Sequence, residues 1–71
     1  MIILGEVRLK LDDYLHSRGM TRYQLSKDSG IRYATIDGYY KNHVQRYDNY
    51  ILAEICDTLE CDISDIIEYV K

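Results

Sequence analysis

Apolar residues along the chain fall into short clusters at helical spacing, separated by polar or glycine-containing steps. Residues Ile2 to Leu9 alternate weakly, with Val7 and Leu9 on one side and Arg8 between them, which predicts a short strand or extended arm. A first helix follows from about Leu9 to Arg18, with Leu11, Tyr14 and Leu15 inward and Gly19 ending it. Thr21 with Gln24 three places on forms a capping-box pattern, and Met20 with Leu25 forms a hydrophobic staple. They place a second helix at Arg22 to Asp28, closed by a turn at Ser29-Gly30, where glycine takes positive φ without steric cost. A third helix should cover roughly Arg32 to Lys41, with Ile36 inward and Asn42 terminating it. After a polar loop from His43 to Tyr47, Asp48 or Asn49 caps a fourth helix. Its inner face carries Ile51, Leu52, Ile55, Cys56 and Leu59. Asp62 caps a short fifth helix whose Ile63, Ile66 and Ile67 close the core, and Tyr69 to Lys71 trail as an extended tail.

Composition narrows this picture without redirecting it. Seventy-one residues make a single domain, spanning 1–71, and the core must be economical because so short a chain buries only about 60% of its extended surface. Hydrophobic content of 46% with 30% charged residues belongs to a globular protein. The aromatics are all tyrosine, eight of them, so many should lie half-buried with wet hydroxyls. No apolar run approaches the ~18 residues of a membrane span, and the start MIILGE has no basic region before Glu6, so a cytoplasmic location is expected. Cys56 and Cys61 then read as small packing side chains. A zinc site needs about four clustered ligands, and His16 and His43 do not gather with the cysteines, so neither metal nor cofactor is expected.

The net charge of −3 argues against a nucleic-acid partner, but its distribution argues for one. Between His16 and Arg46, Arg18, Arg22, Lys27, Arg32, Lys41 and Arg46 outnumber Asp28 and Asp37, a balance of +4. From Tyr47 onward only Lys71 opposes Asp48, Glu54, Asp57, Glu60, Asp62, Asp65 and Glu68, a balance of −6. The basic segment coincides with the second and third helices, the footprint that phosphate contact leaves in a sequence.

Two short helices joined by a tight turn are the plan of a helix-turn-helix. The Gly19-Met20-Thr21 start, the Leu25-Ser26 step, Ser29-Gly30-Ile31, Thr35-Ile36 and the ending ICDTLECDISDIIEYV (Ile55 to Val70) extend that plan. On these residues the stretch from about Leu11 to Ile67 resembles the Cro/C1-type helix-turn-helix family, also called the XRE or lambda-repressor-like family. The resemblance implies an all-α, compact five-helix DNA-binding domain, here with a short N-terminal strand or arm. It also implies a sequence-specific transcriptional regulator whose third helix, about 32–41, enters the major groove while the second crosses the backbone.

The third helix departs from the family where specificity should lie. Arg32 stands where a capping serine is common; arginine accepts no N–H bond, and its charge opposes the helix dipole. Arg32 therefore reads as a phosphate or guanine contact, with a solvated surface arginine as the alternative. With Ile36 turned to the core, Arg32, Tyr33, Tyr39 and Tyr40 flank the buried side, Ala34, Asp37, Gly38 and Lys41 point outward, and Thr35 lies on the shoulder. Ala34 can pack on a thymine methyl, and Gly38, which weakens a helix by roughly 1 kcal/mol, hints at close approach. Asp37 either accepts from a cytosine amino group or pairs with Lys41 at the i, i+4 spacing. The candidate base contacts are thus Arg32, Tyr33, Ala34, Thr35, Asp37, Gly38 and Lys41. Arg22, Tyr40, Asn42, His43 and Arg46 are candidates for phosphate.

A module of this size reads only a few base pairs, so a homodimer on duplex DNA is expected, with half-sites about 34 Å apart. The arm from Ile2 to Leu9, the tail from Glu68 to Lys71 and the acidic last helices are candidate dimer surfaces. The alternative is an antitoxin-like or mobile-element accessory protein whose acidic C-terminal third binds a basic partner. No small-molecule ligand is evident. Separated histidines, the lack of an acid pair in a pocket and the absence of a phosphate-cradling glycine loop argue against an enzyme.

Overall fold

In the computed structural model, which describes residues 5–71, four helices pack on one another, and the segments before and after them pair as a two-stranded sheet. Strand β1 (Glu6–Leu9) leads into α1 (Leu11–Arg18), α2 (Arg22–Ser29), α3 (Tyr33–Tyr40) and α4 (Asn49–Leu59). A single 3-10 turn (Ile63–Asp65) then delivers the chain to strand β2 (Ile67–Val70). The expected strand near the N-terminus is present from Glu6; the part of the arm assigned to Ile2–Leu4 lies outside the described residues.

The helix punctuation follows local chemistry. Gly19 and Gly30 end α1 and α2 in the left-handed conformation, at φ 67° and 77°. The Thr21 hydroxyl accepts from the Gln24 N–H at 3.1 Å, but Gln24 does not reciprocate; its amide donates to Asp28 Oδ1 at 2.9 Å. Only half of the predicted capping box forms. Asp48 caps α4 by accepting from the N–H groups of Tyr50 and Ile51. Asn42 follows α3 at φ 59°, and Glu60 closes α4 at φ 53°.

The expected fifth helix is not there. After one 3-10 turn the chain extends and pairs antiparallel with β1, in the register Glu6–Val70, Val7–Tyr69, Arg8–Glu68 and Leu9–Ile67. Ile66, Ile67, Tyr69 and Val70 are β-branched or aromatic and suit a half-buried strand better than an isolated helical turn. The Lys10 N–H donates to the Ile66 carbonyl at 2.8 Å, so the ladder begins where β2 leaves the core. Ile63, expected to close the core, is 47% exposed, whereas Ile66 is fully buried.

Leu9, Leu11, Leu15, Leu25, Ile31, Ile36, Tyr39, Ile55, Leu59 and Ile66 form one buried cluster that draws on the end of β1, all four helices, the turn between α2 and α3, and the residue before β2. Ile51, Leu52 and Cys56 pack against it, half-buried. Arg18 helps to hold the helices together: its guanidinium donates to the Leu59 carbonyl at the end of α4, at 2.6 Å, and to the Tyr14 hydroxyl at 2.8 Å. One cation of the basic segment is thereby committed to α4. No helix among the described residues is long and apolar enough to cross a membrane.

Candidate nucleic-acid interface

The turn between α2 and α3 is fastened from within. The Ser26 hydroxyl donates to the Ile31 carbonyl at 2.5 Å, and the Ile31 N–H donates to Ser29 Oγ at 3.2 Å. With Leu25, Ile31 and Ile36 buried around this turn, α2 and α3 are set at a fixed relation, and their outer faces form one surface.

Arg32 occupies the position before α3 with no side-chain capping bond, as its chemistry requires. It is exposed and has no ion-pair partner among the described residues. Ala34 is also exposed, Thr35 and Gly38 are half-exposed, and Tyr33 is 44% exposed. A Cβ added at Gly38 would meet only Val44 Cγ2, at 3.8 Å, an ordinary contact, so nothing in the fold itself demands glycine there. Tyr39, by contrast, turns inward, and its hydroxyl accepts from the Asp48 N–H at 2.9 Å.

Asp37 pairs not only with Lys41, one of the two alternatives its spacing left open, but also with a residue of α2. Its Oδ2 lies 3.1 Å from Lys41 Nζ, and its Oδ1 lies 2.5 Å from Arg22 Nη1. The Arg22 guanidinium stacks over the Tyr40 ring at 4.5 Å and sits 5.9 Å from the Tyr33 ring centroid. The Lys41 ammonium, with Arg22 beside it, holds the Asp37 carboxyl below the usual carboxylate range, against the opposing pull of desolvation. Arg22, Tyr33, Asp37, Tyr40 and Lys41 therefore form one cluster bridging the start of α2 and the length of α3. The i, i+4 half of it is visible in the chain; the Arg22 half joins residues fifteen apart and requires the tertiary turn.

Asn42, His43 and Arg46 are exposed where the chain leaves α3. Asn42 also has a structural role, because its Oδ1 accepts from the Leu9 N–H at 3.1 Å and ties the end of α3 to β1. Tyr47 adds to this by donating its hydroxyl to the Val7 carbonyl at 3.3 Å. Gly5 has a structural use that no local pattern in the sequence signals. A Cβ there would fall 2.5 Å from Tyr69 side-chain atoms and from the Val70 carbonyl oxygen, so the strand pair closes only over glycine.

A family model for the Cro/C1-type helix-turn-helix DNA-binding domain matches residues 10–71. The chain belongs to this family. Among solved structures it is similar to the transcriptional regulator VanUg, at 30% identity and a TM-score of 0.72, over 99% of this chain and 93% of that one. A Bacteroides fragilis protein classed as DNA-binding shares the fold at 19% identity and a TM-score of 0.75, over 89% of this chain and all of that one. A search of curated protein sequences finds no match. As a Cro/C1-type domain the chain is a DNA-binding regulator, and double-stranded DNA is its partner.

Proposed function

We propose that this Cro/C1-type protein reads a specific operator by laying α3 in the major groove, as a homodimer. The observation that carries this reading is the outer face of α2 and α3. Arg32, without an ion-pair partner among the described residues, and the small Ala34 are exposed there, and the rim carries Arg22, Lys41, His43 and Arg46. On that reading Arg32, Tyr33, Ala34, Thr35 and Gly38 face the bases, and Lys41, first expected on a base, meets phosphate from the rim beside Asp37. Arg22, Tyr40, Asn42, His43 and Arg46 meet phosphate. For Asn42 the free part is the amide NH2, since its oxygen already accepts from Leu9.

For the dimer, the β2 edge is the better supported of the candidate surfaces. The outer edge of β1 is covered by Asn42 and Tyr47, which take up the Leu9 N–H and the Val7 carbonyl. In the observed register the main-chain groups of Ile67 and Tyr69 point away from β1, and they have no partner among the described residues. No chemistry beyond binding is needed for this role, and a regulator of this kind works in the cytoplasm, where the DNA is.

Selection of bound sequences from a random duplex pool, followed by a salt series on the recovered site, tests the reading. Binding should weaken with salt at a slope of about −0.9 per phosphate neutralised, and the recovered site should show two half-sites about one helical turn apart. A flat salt response, or a pool that yields no preferred sequence, would sink it.

A further inference from the structure

Arg22 and Lys41 stand at the start of α2 and just past the end of α3, and Asp37 lies between them with one carboxylate oxygen turned to each. Each oxygen of this carboxylate is thus turned to a cation of the protein itself, and both cations hold it in place. The Arg22 guanidinium is held a second time by the Tyr40 ring. Long cationic side chains lose much rotamer freedom when they dock on phosphate, and here part of that ordering precedes the DNA. A guanidinium and an ammonium each carry more donors than one carboxylate oxygen takes up, so both cations remain able to bind phosphate while paired. The carboxylate also cancels one positive charge at this rim, and uniform positive charge strengthens binding to any sequence.

On the DNA-binding reading above, we infer that Asp37 is a positioning residue for recognition. It fixes Arg22 and Lys41 as a spaced pair for the phosphates beside the groove and trims sequence-independent attraction. It does not read a base.

The test uses the tightest duplex recovered from a random pool and an unrelated duplex of equal length, each measured over a salt series. Asp37→Asn keeps the side chain's size and removes its charge, and circular dichroism checks that each variant folds. The expected result is a fall of about tenfold in the ratio of selected to unrelated binding, spread over all base positions, because phosphate contacts set register without reading sequence. Asp13→Asn, at an exposed acid of α1, removes the same charge elsewhere and should leave the ratio unchanged. An unchanged ratio in Asp37→Asn overturns the inference. So does a loss confined to one base pair, which makes Asp37 a reader, or an equal loss in Asp13→Asn, which makes net charge the cause. In the free protein, the Asp37 carboxyl followed by NMR titration should move toward the ordinary range in Lys41→Met and in Arg22→Met; a carboxyl that stays put in both also overturns it. Wild-type protein that binds neither duplex in a salt-dependent way brings down the DNA-binding reading as well. Wild-type selectivity with an indifferent Asp37→Asn brings down this inference alone.

Discussion

Arg32 and Gly38 break helix rules in opposite ways, and their surroundings separate what each is for. Among the described residues no capping bond or ion pair holds the Arg32 side chain, which leaves it available to a partner. Arg32→Ala should relax preference at one base position if the guanidinium reads a guanine edge, a contact worth about 1–3 kcal/mol. Competition among duplexes altered one base pair at a time checks this, and a loss uniform across all of them would make Arg32 a phosphate contact. Gly38 has room for a methyl group, since the nearest atom to an added Cβ is Val44 Cγ2 at 3.8 Å. Gly38→Ala should therefore stabilise the free protein by about 1 kcal/mol in thermal melting while weakening binding to the selected duplex. Tighter or unchanged binding would place Gly38 away from the DNA. Both oddities are legible in the sequence because they are violations of local preference. Gly5 is not legible, because what it accommodates is the far end of the chain.

At the scale of elements, the link between α2 and α3 is partly electrostatic and should respond to acid. The folded pKa of Asp37 lies below its unfolded value. Its contribution to stability is therefore full above the unfolded pKa of about 3.9 and is lost as pH falls through the lower, folded value. Wild type should melt higher than Asp37→Asn at neutral pH, and the gap should close as the solution is acidified below about pH 4. A gap that persists at strongly acid pH would mean that the amide loses something other than charge. The sheet gives a second expectation: Gly5→Ala should splay β1 from β2, lowering the melting temperature and exposing the amides of Arg8 and Glu68 to faster hydrogen exchange. The helices are legible because caps and glycine stops are local signals, and Thr21, Gly30 and Asp48 all act where their chemistry places them. The expected fifth helix fails because Ile63, Ile66 and Ile67 fit helical spacing as well as they fit a turn and a strand. Pairing with β1 decides between them.

Across the whole molecule, charge is divided between two surfaces. Asp57, Glu60, Asp62 and Asp65 line one shallow cavity on α4 and the turn after it, while Arg32 and the Arg22–Asp37–Lys41 cluster lie on α2 and α3. A molecule with such a dipole approaches DNA with a preferred orientation, and the effect weakens with salt. Assembly adds a further test. Tyr69 is 62% exposed beside Val7 at 50%, in the strand whose outer main-chain groups lack a partner among the described residues. Proline at Tyr69 removes an outward N–H, so Tyr69→Pro should shift the protein toward monomer in sedimentation and lower its affinity for a two-half-site duplex. A variant that stays dimeric would move the interface away from this edge. What could be read from the order of residues was whatever depends on neighbours within a few positions: helix starts and stops, the inner face of each helix, and the basic segment laid over α2 and α3. What only the tertiary structure decided depends on residues far apart in the chain. The closing strand in place of a helix required β1, and the commitment of Arg18 required Leu59. The pairing of Asp37 with Arg22 required the Gly30 turn to bring two helices together, because a side chain's partner is set by distance in space.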